Sequence, residues 1–252
     1  MTKERLKEVK ITNQVLAILV VMLSLSLGIA IGKQKGWVRN NASKETQTQR
    51  QYIGTAIELE SIKSGSNLSV NSAIKQRRTR RQFIEKEISP LELSQLLWSL
   101  QGITASWGGR TVPTIKSAYP LEISVIVKNA ENVGNGIYHY SPKENTLNQT
   151  VKGLPQEFVD KSKDTPSLRE ASVVFIISAK GEKLEEIIQN HNDNLLYLEA
   201  GHAAQNLLLQ AEALGLGVNN ISLFDSSMKK TLNIPESEVL IYLLPVGTPK
   251  ES

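Results

Sequence analysis

The stretch RRTRRQF, residues 77–83, carries the clearest chemical signal in the sequence because it places four arginines within five positions. Several guanidinium groups and a threonine hydroxyl suit a dianionic phosphate, which accepts multiple charge-assisted hydrogen bonds at once. Arginine runs also occur on solvated helix ends, nucleic-acid surfaces and surfaces that bind anionic membranes. The rest of the sequence has to decide among these uses.

Composition excludes several of them. The 252 residues carry a formal net charge of only +4, which does not require a polyanionic partner. No aromatic or glycine residues interleave the arginines as in single-strand binders, so we expect no nucleic-acid partner. The chain has no cysteine, and its three histidines show no ligand spacing, so we expect no metal site. A solvated helix face is the default interpretation of the arginine run, a phosphate site is the sharper hypothesis, and a surface for anionic membranes stays open.

The N-terminal region is organised differently from the rest. Residues 1–14 form a basic flank, and residues 15–32 contain no charge. A helix of that length covers about 27 Å, close to the hydrocarbon thickness of a bilayer. We predict an uncleaved transmembrane anchor at 15–32, with a cleaved secretory signal as the alternative. Residues 33–66 are polar and predict a flexible tether.

Helices and strands alternate in the globular region, residues 67–252. Ser69 is a candidate cap for a short helix, and Ser89-Pro90 with Glu92 predicts a second helix that ends at Gly102. Further predicted elements are buried strands at 121–127 and 172–179, a short strand at 136–142, a long helix at 195–214, and a last strand at 239–247 that Pro245 interrupts. No regular βαβ repeat is present, so the predicted class is α+β with an antiparallel or mixed sheet.

Four stretches together resemble one known family. AIKQRRTRRQF resembles the phosphate-binding entry motif RRSxRxF of the flavin-dependent nitroreductase superfamily. RTVPTIKSAYPLEISVIV, GIYHYSP, and YLEAGHAAQNLLLQAEALGLGVNNISLFD with YLLPVGTPK are similar to its streptolysin-type branch, whose members oxidise azolines to azoles in modified peptides. The motifs occur in the family's order from about Ser69 to Lys250, so they cover essentially the whole globular region.

The resemblance implies an FMN enzyme. Its fold would be a central, mostly antiparallel sheet flanked by helices, and two chains would intertwine as a homodimer with both active sites at the subunit interface. The implied cofactor-binding residues are Arg77, Arg78, Thr79 and Arg81 at the phosphate, Pro113, Thr114, Ile115 and Lys116 beside the flavin ring, Ile221, Ser222 and Leu223 on a flavin-facing segment, and Lys250 near the phosphate. Arg80 would point elsewhere.

One departure from the family pattern falls at the flavin ring. The branch usually reads PSAGxxYP, whereas this chain reads PTIKSAYP, so Lys116 replaces a glycine that lets the backbone approach the cofactor. A cation there would stabilise the anionic reduced flavin. A bulky side chain there would instead close the flavin site.

The resemblance implies ping-pong hydride transfer at flavin N5, with no catalytic residue assigned from the sequence. The substrate is either an azoline peptide or, with NAD(P)H as donor, a nitro compound or quinone. The charges flanking the predicted anchor do not decide its orientation, but the supply of FMN and reduced nicotinamide favours a cytoplasmic globular domain. A flavinless dimer that acts as a membrane-tethered scaffold is the alternative, and a module that binds anionic lipid is a third hypothesis. Glu199 and His202 on the long helix are interpreted as a polar stripe rather than as an acid–base pair.

Overall fold

The computed structural model describes residues 50–62, 68–185, 193–225 and 227–250. The anchor predicted at 15–32 and the first part of the predicted tether lie outside these residues, and both stay predictions. Within the described ranges, no helix is long and apolar enough to cross a membrane.

The described strands form one eight-stranded sheet, which positions the candidate site. They are β1 (Ile57–Glu58), β2 (Phe83–Ile84), β3 (Leu121–Val127), β4 (Gly136–Ser141), β5 (Thr146–Lys152), β6 (Val173–Lys180), β7 (Gly217–Val218) and β8 (Glu238–Pro249). The order is β1-β5-β4-β3-β6-β8-β2, with β7 also paired to β8. Every pairing of these strands is antiparallel, which confirms the predicted α+β class.

Helices flank the sheet, and the predicted capping signals are present. The helices are α1 (Val70–Gln76), α2 (Pro90–Gln101), α3 (Gln156–Ser162), α4 (Pro166–Glu170), α5 (Glu182–Glu185), α6 (Asn194–Ala213) and α7 (Met228–Thr231). The Ser69 hydroxyl accepts a hydrogen bond from the backbone N–H of Ser72. Ser89 and Glu92 form a reciprocal capping box at the start of α2, and Gly102 ends that helix.

The sheet separates two apolar cores. One core joins α2 and α6 to the sheet, with Leu96, Leu97, Leu100, Leu207, Phe175 and Val246 among its buried side chains. The other joins α3, α4 and α7 to the opposite face, with Phe158, Leu168, Leu232, Ile126 and Ile176 among them. Each such side chain contributes roughly 1.5–3 kcal/mol by burial, so both faces anchor the loops that they support.

The prediction that Pro245 interrupts the last strand is wrong, because β8 continues through it to Pro249. In an antiparallel strand, the N–H and C=O of one residue point to the same neighbour. The carbonyl of Pro245 accepts from the N–H of Asn219, so the missing N–H faces the end of the short strand β7. The long pairing of β8 with β6 therefore tolerates the proline.

Two parts of the sheet were not expected from the sequence. Strand β5 has the polar sequence TLNQTVK, which lacks a clear apolar alternation. Residues 50–62 fall within the predicted tether, yet β1 pairs with β5, and the N–H of Ile53 donates to the carbonyl of Gln149. The chain is therefore held on the sheet before the predicted domain boundary.

Candidate active site

The arginine run, residues 77–81, leaves α1 and is fixed on the sheet by its backbone. Thr79 forms a bridge with Val218 of β7, and the N–H of Arg80 donates to the carbonyl of Val218 over 2.9 Å. Gly217 makes this approach possible, since a Cβ at that position would lie 2.7 Å from the Cβ of Arg80. The path of the run is therefore set by β7 rather than by its own charges.

The arginine side chains have different surroundings. Nη1 of Arg78 folds back to donate to the carbonyls of Lys75 and Arg77, at 3.0 and 2.9 Å. Arg81 is exposed and Arg77 is half-buried, and neither is paired with a carboxylate within the described ranges. Arg80 packs its stem against Gly217, as expected for a residue that points elsewhere. Unpaired guanidinium groups on a fixed loop fit the charge of a phosphate.

The segment predicted to lie beside the flavin ring is a tight turn, residues 114–119. Three of its non-glycine residues have left-handed backbone, with φ of 46° at Lys116, 60° at Ser117 and 44° at Tyr119. Each left-handed residue costs roughly 1–2 kcal/mol, so the turn persists only where neighbouring groups hold it. Lys116, at φ 46° and ψ 34°, keeps the backbone shape that glycine favours. Its side chain is exposed, which leaves the turn accessible to a ligand.

Three polar contacts hold this turn. The Thr114 hydroxyl accepts from the N–H of Tyr119 over 3.0 Å and donates to Oε2 of Glu199 over 2.8 Å. Nζ of Lys183 donates to the carbonyl of Tyr119 over 3.1 Å. The Arg110 guanidinium lies 4.4 Å from the centroid of the Tyr119 ring, a cation–π contact. Glu199, interpreted from the sequence as part of a polar stripe on the long helix, is thus buried against the turn.

A cavity of about 530 Å³ lies between α1, α2 and α6, next to the Arg110 side chain. Its apolar wall includes Leu68, Ala73, Trp98 and Leu209, and its polar groups include Arg110, Thr111 and Asn206. Nη1 of Arg110 donates to Oε1 of Gln101 over 2.9 Å, which orients the guanidinium. Cavities of this size, mostly apolar with a few fixed polar groups, accept small organic molecules.

Of the remaining predicted site residues, Ile221 pairs with β8, Lys250 follows β8, and Pro113 is exposed before the turn. Ile221 exchanges two backbone hydrogen bonds of 3.0 Å with Leu243, while Ser222 and Leu223 are exposed. Leu223 is 90% exposed, so it fills no pocket of its own chain. The N–H of Lys250 donates to the carbonyl of Gln82 over 3.1 Å, which places the backbone of Lys250 next to the C-terminal end of the arginine run.

The arginine run and the 114–119 turn lie at opposite ends of the sheet. The run lies next to Val218, and Val218 pairs with Val246 of β8. Val246 pairs with Val173 of β6, which in turn pairs with Val127, the last residue of β3. The turn instead leads into Leu121, at the start of β3. Six strand residues correspond to about 20 Å. In one chain the two predicted parts of the flavin site are therefore about 20 Å apart along the strand direction.

A buried polar network extends from the turn across the sheet. Besides its bond to Tyr119, Nζ of Lys183 donates to Oε1 of Glu122 over 2.9 Å. Nε2 of His139 donates to Oε2 of Glu122 over 2.9 Å, and the Tyr52 hydroxyl then donates to Nδ1 of His139. Burial opposes ionisation of Glu122, but the His139 hydrogen bond and the charges of Lys183 and Lys180 outweigh it. The pKa of Glu122 therefore lies well below its ordinary value of 4.5.

This network predicts a pH-dependent stability. Because the pKa of Glu122 is lowered by folding, its contribution is complete above 4.5 and is lost as the pH falls below that value. We expect Glu122→Gln to reduce the free energy of unfolding by about 3 kcal/mol at pH 7, since it leaves two lysines partly unpaired. Urea unfolding at pH 7 and at pH 3.5 should show this difference shrinking on acidification.

The exposed residue Glu131 provides the matched control, because Glu131→Gln makes the same chemical change outside the network. That variant should follow the wild-type pH profile. A Glu122→Gln deficit that stays constant between pH 7 and pH 3.5 would show that the lowered pKa has no part in stability.

Comparison with known proteins identifies the family. The family model described as "Nitroreductase family" matches residues 74–248. A Methanocaldococcus jannaschii protein that is named as a nitroreductase is 31% identical over 186 residues, covering 71% of this chain and 91% of that protein.

Solved structures share the fold. A crystal structure from Ralstonia eutropha, named as a nitroreductase, has a TM-score of 0.66 and 20% identity, covering 81% of this chain and 95% of that one. The E. coli microcin synthetase McbBCD complex with truncated pro-MccB17 has a TM-score of 0.62 and 20% identity, covering 83% and 81%. A Desulfovibrio desulfuricans protein in complex with FMN has a TM-score of 0.51 and 18% identity, covering 72% and 87%.

The family model and the M. jannaschii relative each span most of this chain. The chain therefore belongs to the nitroreductase family of oxidoreductases.

Proposed function

We propose that this chain is an FMN-dependent oxidoreductase. The observation that carries the proposal is the 114–119 turn, which keeps a left-handed, glycine-like backbone at Lys116 even though the residue is a lysine. A turn that served no ligand would have little reason to retain three strained residues. When bound, FMN would supply hydride transfer at N5, and the protein would supply binding, orientation and electrostatics.

The residues present fit the two ends of the cofactor. Arg77 and Arg81 have no carboxylate partner within the described ranges, and the backbone of Lys250 contacts Gln82 next to Arg81, so the positive charge there suits a phosphate dianion. The exposed ammonium group of Lys116 extends from the turn that would approach the ring. A cation there favours a reduced, anionic ring over a neutral one.

We propose that the site is completed by a second copy of the chain. Within one chain the arginine run and the turn lie at opposite ends of the strands, about 20 Å apart along the strand direction. A homodimer allows the run of one chain to meet the turn of its partner. The large apolar side chains exposed on α1, on the 102–111 loop and on α6 include Val70, Ile74, Trp107 and Leu198. Their burial would stabilise such a dimer.

We propose two alternatives for the reaction. The enzyme is either a dehydrogenase that oxidises azolines in peptides or an NAD(P)H-dependent reductase of nitro compounds or quinones. The structural likeness to the microcin synthetase complex supports the peptide alternative, and the nitroreductase name of the M. jannaschii relative supports the second. The 530 Å³ cavity beside Arg110 offers space for a small molecule or one peptide side chain. Its single arginine favours substrates with a negative or strongly polar group.

The test is an absorbance spectrum from 300 to 600 nm of the purified full-length chain, before and after incubation with FMN and removal of the excess. We expect flavin bands at about one FMN per chain, shifted from those of free FMN by the protein environment. Sedimentation analysis should give a dimer in the same preparation.

A protein that retains no flavin would overturn the enzyme proposal. The alternative is a nitroreductase-fold dimer that acts as a scaffold, and it predicts colourless protein that reconstitution with FMN does not change. If the protein does retain flavin, bleaching of that flavin by NADH or NADPH would support the reductase. Bleaching by an azoline peptide alone would support the dehydrogenase.

A further inference from the structure

The Glu199 carboxylate is buried at an unusual place for an acidic group on a helix. Glu199 is only 5% exposed, although α6 presents the exposed residues Tyr197, Leu198 and His202 on either side of it. Its Oε1 is buried and has no hydrogen-bond partner within the described ranges. Burial of a carboxylate costs free energy unless the group is hydrogen-bonded or paired, so the hydrogen bond that Glu199 does make is important for its position.

That contact is with the Thr114 hydroxyl, which has only one hydrogen to donate. Because the Thr114 oxygen accepts from the N–H of Tyr119, its own hydrogen is directed to Oε2 of Glu199. Two linked hydrogen bonds therefore join the Tyr119 amide to the Glu199 carboxylate through the Thr114 hydroxyl. Loss of the acceptor would free the hydroxyl to rotate and would loosen both hydrogen bonds.

The other contacts of the turn cannot replace these two linked hydrogen bonds. Lys183 holds the carbonyl of Tyr119, and Arg110 lies against its ring, so both act on the last residue of the turn. The Thr114–Glu199 pair holds the first residue and closes the turn on itself. Lys116 and Ser117, the two adjacent left-handed residues, lie between these ends.

We infer that Glu199 is the positioning residue of the 114–119 turn: acting through the Thr114 hydroxyl, it sets the left-handed backbone that the proposed function places beside the flavin ring. This inference rests on the proposed function for its role in catalysis. Its effect on the shape of the turn does not depend on bound flavin, and the two are therefore measured separately.

The rate of tryptic cleavage after Lys116 measures how firmly the turn is held, because Lys116 is an exposed cleavage site within the turn. We expect Glu199→Leu to increase cleavage after Lys116 about tenfold, the effect of losing one buried hydrogen bond to an ionisable group. Thr114→Val should give the same increase, and the double variant should add nothing further. Glu199→Gln should stay within about twofold of wild type, since its amide oxygen still accepts from Thr114.

Two controls distinguish a local effect on the 114–119 turn from general destabilisation of the protein. Glu212→Leu makes the same change on the same helix, away from the turn, and should leave cleavage after Lys116 unchanged. Cleavage after Lys143, on the β4–β5 connection, should not rise in Glu199→Leu. Equal increases at Lys116 and Lys143, or unchanged cleavage in both Glu199→Leu and Thr114→Val, would overturn the inference.

FMN affinity gives the second readout. Glu199→Leu should raise the FMN dissociation constant about tenfold, with Glu199→Gln close to wild type. If wild type binds no FMN while cleavage responds as expected, the proposed function fails and the role of Glu199 in the turn stands. If wild type binds FMN and neither readout changes in Glu199→Leu, the proposed function stands and this inference fails.

Discussion

Replacing Arg77 and Arg81 together with alanine is expected to weaken FMN binding by at least about a hundredfold. A hydrogen bond to a charged group contributes about 1.5–3 kcal/mol, and each 1.4 kcal/mol corresponds to a tenfold change in affinity. The expected size follows because neither side chain has a carboxylate partner within the described ranges, so no intramolecular contact competes with the phosphate. Titration of flavin-free protein, followed by flavin fluorescence, measures the change.

Riboflavin provides the sharpest control for this prediction, because it lacks the phosphate. The double variant should bind riboflavin as wild type does, so that only the preference for FMN over riboflavin is lost. Lys143→Ala with Lys152→Ala removes the same number of positive charges from exposed positions on β5 and its preceding turn. That control should retain wild-type FMN affinity, whereas equal losses in both double variants would indicate a general charge effect.

Arg78 is expected to contribute less than either of these arginines. Its Nη1 already donates to the carbonyls of Lys75 and Arg77, so part of its hydrogen-bonding capacity stabilises the end of α1. The family resemblance placed Arg78 with Arg77, Thr79 and Arg81 at the FMN phosphate and ribityl chain, without ranking them. The structure distinguishes its role because the backbone direction after α1 decides which side chains stay free.

Local signals in the sequence predicted local structure well. Ser89 and Glu92 are three residues apart, and the capping box that they form requires only those two side chains and the backbone between them. Likewise, the long helix was predicted at 195–214 and spans Asn194–Ala213, since its apolar spacing and its glycine end lie in one continuous segment.

Contacts between distant residues were missed for a physical reason. Thr114 and Glu199 are 85 positions apart, and their hydrogen bond depends on how α6 packs over the sheet. A carboxylate on a helix reads as a solvated residue, because most such residues are solvated. Strand β5 was missed for a related reason: TLNQTVK becomes a strand by pairing with β4 and β1, which its own composition does not predict.

Arg50 and Glu238 form the ion pair with the largest sequence separation at the sheet. Their side chains are 5% and 0% exposed, and the Ser178 hydroxyl donates to the same carboxylate oxygen over 2.6 Å. Nothing in the sequence pattern links Arg50 to the globular domain, since it lies within the predicted tether. The structure shows that the sheet buries this arginine across β6 and β8.

Glu238→Ala is therefore expected to lower the free energy of unfolding by about 3–5 kcal/mol, because it leaves a buried guanidinium without its counter-ion. For a domain of this size, the melting temperature should fall by about 10 °C. Thermal and urea unfolding of the full-length chain measure both quantities. Glu236→Ala is the matched control two positions away, where an 82% exposed carboxylate pairs with Lys229 and should contribute less than about 1 kcal/mol.

The double variant Arg50→Met with Glu238→Leu removes the ion pair without leaving either charge buried alone. Comparing its free energy of unfolding with that of Glu238→Ala separates the cost of one unpaired buried charge from the contribution of the ion pair. Replacing a buried ion pair by apolar side chains of similar size is often neutral or stabilising, so this variant should recover most of the stability lost in Glu238→Ala. Recovery would show that the pair fixes where residues 50–53 lie more than it stabilises the fold. A double variant as unstable as Glu238→Ala would instead show that the hydrogen bonds of Arg50 and Ser178 themselves hold the edge of β8 in place.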